Sequence, residues 1–255
     1  MSWRRWSGTA AATIALVAIT VMAALVVLPA RWLIALLPAS WPVAVVDASG
    51  SVWRGTALVA LGPPGARTTL PQPVSWSTRW QNGPRLVLQH PWLDCQLALR
   101  PGLGALGLSP CTLALPATAL TTLGAPLNTL KPGGKLSLRW PALQLPYLGL
   151  PGAGELLQLD WTQATTSLSH VRPLGHYRVD VRSTGNTLAI ALSTLTGSFV
   201  LQGEGSFAPR TGFSFRGEGR PAADASETTI AGLQTLMSGI GRRSGDATLL
   251  QVGRL

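Results

Sequence analysis

A chain of 255 residues that is 46% hydrophobic has ample material for a core, yet only 12% of it is charged, about half the usual share, and its mean hydropathy is positive. The net charge of +10 is almost entirely arginine, scattered singly apart from Arg4-Arg5 and Arg242-Arg243. That dispersion argues against the basic and aromatic platform of a nucleic-acid binder and suits an anionic membrane surface or an acidic partner.

The amino terminus reads as a membrane anchor. From Thr9 to Leu28 the sequence "TAAATIALVAITVMAALVVL" carries no charge, and a helix of about twenty residues crosses a hydrocarbon core of about 30 Å. A cleaved signal peptide has a shorter apolar region and ends at a small-residue site; here Pro29, Arg31 and "WLIALLP" follow instead, which favours an uncleaved anchor. Arg4 and Arg5 precede the run, so the positive-inside rule keeps the tail cytoplasmic and exports the rest. Trp3, Trp6 and Trp32 bracket the span, where indoles suit the interfaces. We therefore expect a cytoplasmic tail at 1–8, a transmembrane helix at 9–29, a juxtamembrane segment at 30–46 and a periplasmic β-rich domain at 47–255.

Beyond Pro42 the period-2 pattern of antiparallel sheet dominates. "VAVVDASGSVWRGTALVAL", "QPVSWSTRW", "PRLVLQH", "LDCQLALR" and "CTLALP" read as strands, "ATALTTLGAPLNTL" as a short helix broken at Gly124 and Pro126. Strands resume with "GKLSLRWPALQL", "GELLQLDW", "HYRVDVRS", "TLAIALS", "GSFVLQGEGSF" and "GFSFRGEG". The 28 glycines and 20 prolines supply turns between them. Near the end, residues 226–241 form a helix: Ser226 caps it, Ile230, Leu233, Leu236, Met237 and Ile240 share one face, and Arg242 and Arg243 complement its carboxyl end. Trp53 and Trp76 are separated much as Trp140 and Trp161 are, which suggests two duplicated meander-like halves at 47–116 and 131–220 with these four as structural tryptophans.

Cys95 and Cys111 are the chain's two cysteines. Both lie in the exported part, in strand-like runs that can pair across a glycine-rich turn, so a disulfide is favoured over two buried thiols. Two cysteines without a neighbouring histidine make a poor zinc site. The search for other chemistry points to no catalytic, cofactor or metal residue. "GLGALG" at 102–107 meets the dinucleotide pattern, but "LSPCTLALP" after it cannot open a helix and no acid lies between Asp94 and Glu155. His90, His170 and His176 lack zinc-peptidase spacing, and Glu204 and Glu218 resemble turn residues more than a cleft pair.

A basic tail, an apolar span, "LPASW", "GSVWRGTA", "PVSWSTRW", "GGKLSLRW", "DWTQA", "PLGHYRVDV" and "GLQTLMSGIGRRSGD", in that order, resemble the protein N family of bacterial type II secretion systems. The resemblance implies a non-catalytic, single-pass inner-membrane protein with a periplasmic β domain, auxiliary to the export of folded proteins and in contact with other secretion components. A different class of function, a membrane-anchored β protein that binds or carries lipid, also suits the low charge and positive hydropathy, although about two hundred exported residues make a short carrier.

Overall fold

The computed structural model describes residues 3–32, 43–62, 65, 67–81, 83–123 and 127–253. The expected break at Gly124 and Pro126, and most of the juxtamembrane segment, lie outside them. Two antiparallel sheets dominate, as the alternation requires. The first holds β1 (Val43–Gly50), β2 (Arg54–Leu61), the two-residue β3 (Thr68–Thr69), β4 (Val74–Trp80), β5 (Pro84–Gln89), β6 (Leu97–Pro101), β7 (Ala105–Leu108) and the later β10 (Leu143–Pro146). The second holds β8 (Cys111–Pro116), β9 (Gly133–Trp140), β11 (Gly154–Thr165), β12 (Gly175–Ser183), β13 (Leu188–Gly197), β14 (Phe199–Ala208), β15 (Gly212–Pro221), β16 (Arg242–Ser244) and β17 (Ala247–Val252). Each is a meander, with successive strands paired side by side.

The two meanders meet in one long ladder. β7 pairs with β10 and β8 pairs with β9, and the partners run Ala105↔Pro146 to Leu108↔Leu143 and then Cys111↔Trp140 to Pro116↔Lys135. Every pair's residue numbers sum to the same value, so β7–β8 and β9–β10 are two long strands in a single register. Pro110 and Pro141 sit at the gap, where a residue without an N–H interrupts the bonding. The first sheet grows from one side of this ladder through β6, the second from the other side through β11.

The core is deepest in the second sheet. α3 (Glu227–Ile240) lies against it, and Leu233, Leu236 and Met237 pack with Phe199, Tyr177, Leu174 and Ala164. Ser226 caps the helix by accepting from the Thr229 N–H, as its position predicts. Arg242 and Arg243 do not follow the expected course: the chain turns extended at Gly241, and both arginines enter β16, the start of a terminal hairpin. A Cβ at Gly241 would meet the Leu249 backbone, so this exit requires glycine. The "GEG" segments also differ from expectation. Glu204 and Glu218 lie inside β14 and β15, and the flanking glycines leave room for rings: a Cβ on Gly203 would sit 2.5 Å from Phe215 and one on Gly219 would sit 2.7 Å from Phe199.

The expected anchor coincides with α1 (Trp3–Val26). Its side chains are described from Ala12 to Ala24, a length of about 20 Å at 1.5 Å per residue. Among the described residues no helix is long and apolar enough to cross a membrane, so the span at 9–29 is not itself carried by the structure. Between the sheets' strands, the "ATALTTL" run is a 3-10 helix at Ala117–Leu123, followed by the one-turn α2 (Leu127–Leu130).

Candidate functional site

The first sheet has two unlike faces. Register places Ala48, Ala57, Val59, Trp76, Leu86, Leu88, Leu97, Leu99 and Leu108 on one face, with Ala30 from the end of α1 packed among the first of them. The other face carries Arg54, Ser75, Ser77, Arg79, Arg85, Gln89 and Arg100. It bears a concavity of about 710 Å³ between Trp53, Arg54, Ser77 and Arg79, and an adjoining one of about 630 Å³ that reaches Ser75, His90 and Asp94.

Three of the four expected tryptophans act alike. The indole N–H of Trp76 donates to Val52 O at 3.2 Å, that of Trp140 to Ser109 O at 3.1 Å and that of Trp161 to Gly133 O at 2.9 Å. Each ties a strand to a carbonyl far back in the chain and leaves no indole donor unpaired. Trp76 lies flat over Gly55, where an added Cβ would come within 2.6 Å of its ring. Trp161 packs on Tyr177 with centroids 5.6 Å apart. Trp53 is different: it stands in the β1–β2 turn, not in a strand, and is 39% exposed.

Cys95 and Cys111 are joined, with Cα atoms 5.7 Å apart, but not across the glycine turn that the sequence suggests. That turn at 102–104 connects β6 to β7, and the Cys111 strand belongs to the other sheet. The bridge therefore links the loop before β6 to β8 of the second sheet. Around it the segment 92–94 lies along the free side of β8: Ala114 N–H donates to Trp92 O at 2.7 Å, Thr112 N–H to Asp94 Oδ1 at 2.9 Å and Asp94 N–H to Thr112 O at 3.1 Å.

The second concavity contains a serine, a histidine and an aspartate, yet they are not coupled. Ser75 Oγ donates to Gln89 O, His90 Nδ1 accepts from the Trp92 N–H and Asp94 Oδ1 accepts from the Thr112 N–H. A nucleophile must bond its base and the base its orienting acid, and each group here is committed elsewhere. Asp94, Cys95 and Cys111 bring ligand atoms within 4.8 Å of one another, but bridged sulfurs offer no thiolate.

The family model for type II secretion system protein N matches residues 42–249. The chain belongs to this family. No curated protein and no solved structure matches the chain. The protein N match begins beside β1 and ends within β17, so it takes in both meanders, the joining ladder and α3, while α1 precedes it.

Within the protein N region, the polar face of the second sheet is held by a charge cluster. Arg178 Nε donates to Asp160 Oδ1 at 2.7 Å and Gln158 donates to Asp160 Oδ2 at 2.9 Å. Burial raises the Asp160 pKa, but the bonds from Arg178 and Gln158 and the charges of Arg178 and Arg139 outweigh it, so the carboxyl lies below its ordinary value of 3.8. A depressed acid contributes stability above its unfolded pKa and loses it as pH falls through the folded one. Asp160→Asn should therefore flatten the acid side of the stability profile below about pH 4, measured by denaturant unfolding at stepped pH; an unchanged acid limb would contradict the cluster. For the tryptophans, Trp161→Phe should lower stability by about 1 kcal/mol through the lost hydrogen bond to Gly133 O, measured by denaturant unfolding.

Proposed function

We propose that this protein N family member is a non-catalytic scaffold of a type II secretion system, tethered to the inner membrane by α1 with both sheets in the periplasm. One observation carries the tether. Ile14, Leu16, Val17, Ile19, Val21 and Met22 occupy successive sides of α1 and are all more than half exposed. A helix that is apolar all round and not buried in its own protein requires an apolar surrounding. The uncharged run Thr9–Leu28 has the length to span a bilayer. An oxidising periplasm also suits the Cys95–Cys111 bridge.

The scaffold role rests on β1. Among the described residues it ends the first sheet, and it is eight residues long with Val43 and Val46 exposed. Such an edge accepts a strand from a partner by augmentation. The opposite end of the second sheet is blunted: β16 has three residues, two of them arginine. A second reading, lipid binding, is favoured by the apolar face of the second sheet, because α3 covers only its Tyr177 and Phe199 end. Leu138, Leu159, Val179, Val181 and Ile190 beyond it stay half-buried, and Phe213 is 42% exposed.

Photo-crosslinkers at Val46 and Ile190 of the full chain in living cells separate the two. Capture of a secretion-system component from Val46 is the expected result. Phospholipid captured from Ile190, with no secretion component from Val46, would replace the scaffold reading by the lipid reading.

A further inference from the structure

The end of the first sheet from which α1 emerges is unlike the other end. Leu28 O accepts from the Val52 N–H and Gly50 O from the Ala30 N–H, both at 3.0 Å, so α1 joins the domain beside the β1–β2 turn. Register puts the turn after Trp80, the Gly102–Gly104 turn and the loop after Pro146 at that same end, because Trp80 pairs with Pro84, Pro101 with Leu106 and Ala105 with Pro146. These turns expose large apolar side chains: Trp80 at 70%, Leu103 at 109% and Leu148 at 91%, beside Trp53 in its own turn and Val27 and Trp32 at the end of α1. Tyr147 OH donates to Gly102 O and fastens the last two loops together. Of the described large apolar side chains left exposed in the first sheet, only Val43 and Val46 lie elsewhere.

Charge follows the same division. Arg54 opens β2, Arg100 stands two residues before Gly102, and Arg79 and Arg85 face each other directly across β4 and β5. Like charges opposite one another in a sheet are destabilising, and no acid lies between Asp47 and Asp94 to relieve them. Arg85 Nη2 donates to Gln81 O at 3.0 Å, while its Nε is buried without a partner. Exposed indoles and leucines beside guanidinium groups that make no ion pair among the described residues match the two layers of a membrane interface, where aromatic rings sit at headgroup level and arginine meets anionic phosphate. A protein surface that covered the loops would need neither the common end nor the continuity with α1.

We infer that this end of the first sheet is a second membrane contact: Trp53, Trp80, Leu103 and Leu148 insert at the headgroup level of the anionic bilayer that α1 enters, and Arg54, Arg79, Arg85 and Arg100 bind its phosphates. The inference rests on the tether reading. It makes the domain stand on the membrane in a fixed orientation instead of swinging from a single helix, with the β1 edge close to the bilayer and the second sheet directed away from it.

The test uses the full chain in vesicles of phosphatidylcholine and phosphatidylglycerol. An environment-sensitive dye is attached at Gln81→Cys, next to the footing, and separately at Gln72→Cys, at the opposite end of β4; quenching by headgroup-spin-labelled lipid is compared with retention of the protein after alkaline extraction. Several-fold stronger quenching at 81 than at 72, lost when Trp53→Ser and Trp80→Ser are combined and weakened when phosphatidylglycerol is omitted, is the expected result. Equal quenching at the two sites in alkali-resistant protein would overturn the footing and leave the tether standing. Release of the protein by alkali would remove the tether reading and the footing with it.

Discussion

The unbroken register of β7–β8 against β9–β10 is the constraint on which the rest of the molecule depends. A one-residue slip of β7–β8 would turn Leu106 and Leu108 to the polar face of the first sheet and Leu113 to that of the second. It would also break the pairing that seats the first sheet on one side and the second on the other. Three further contacts hold this register near its gap. Ser109 receives the Trp140 indole N–H on its carbonyl, its side chain accepts from the Ala98 N–H, and Cys111 is bridged to Cys95. A loop closed by cysteines sixteen residues apart contributes about 3 kcal/mol in the chain-entropy description, and here that loop contains the whole β6–β7 hairpin. The two meanders thus behave as one extended sheet with a stapled middle.

Much of this was legible in the sequence because period-2 alternation is a local signal. β4, β5, β12, β13, β14 and β15 follow their hydrophobic patterns, and α3 follows both its cap at Ser226 and its apolar face. What was not legible is non-local or very short. β7 has four residues hidden in a glycine-rich run, and the strand pattern of β16 and β17 sits behind arginines that suit a helix end equally well. The partner of the Cys111 strand could not be read from its neighbours, because the competing hairpin of β6 with β7 uses the nearer residues and loop closure favours the shorter connection. Trp53 looked like a strand residue since it is flanked by one; Gly50, at φ 89°, turns the chain before it is reached.

In the concavity around Ser75, His90 and Asp94 the serine bonds the Gln89 carbonyl, the imidazole accepts from the Trp92 N–H and the carboxylate holds the segment 92–94 against β8. Among the described residues the meanders create three surfaces: the β1 edge, bonded only at Gly50 by Ala30, an arginine-lined concave face and an apolar face part-covered by α3. Membership of the protein N family associates those surfaces with a type II secretion system.

Native-state hydrogen exchange on the full chain tests the single extended sheet most directly. The account predicts that backbone amides in Ala105–Leu108 and Cys111–Pro116 open in one step, with the same free energy as the strands on both sides of the ladder. If the first sheet's amides exchanged through openings far more frequent than those of the second, the two meanders would be independent units and the continuous ladder would be contradicted.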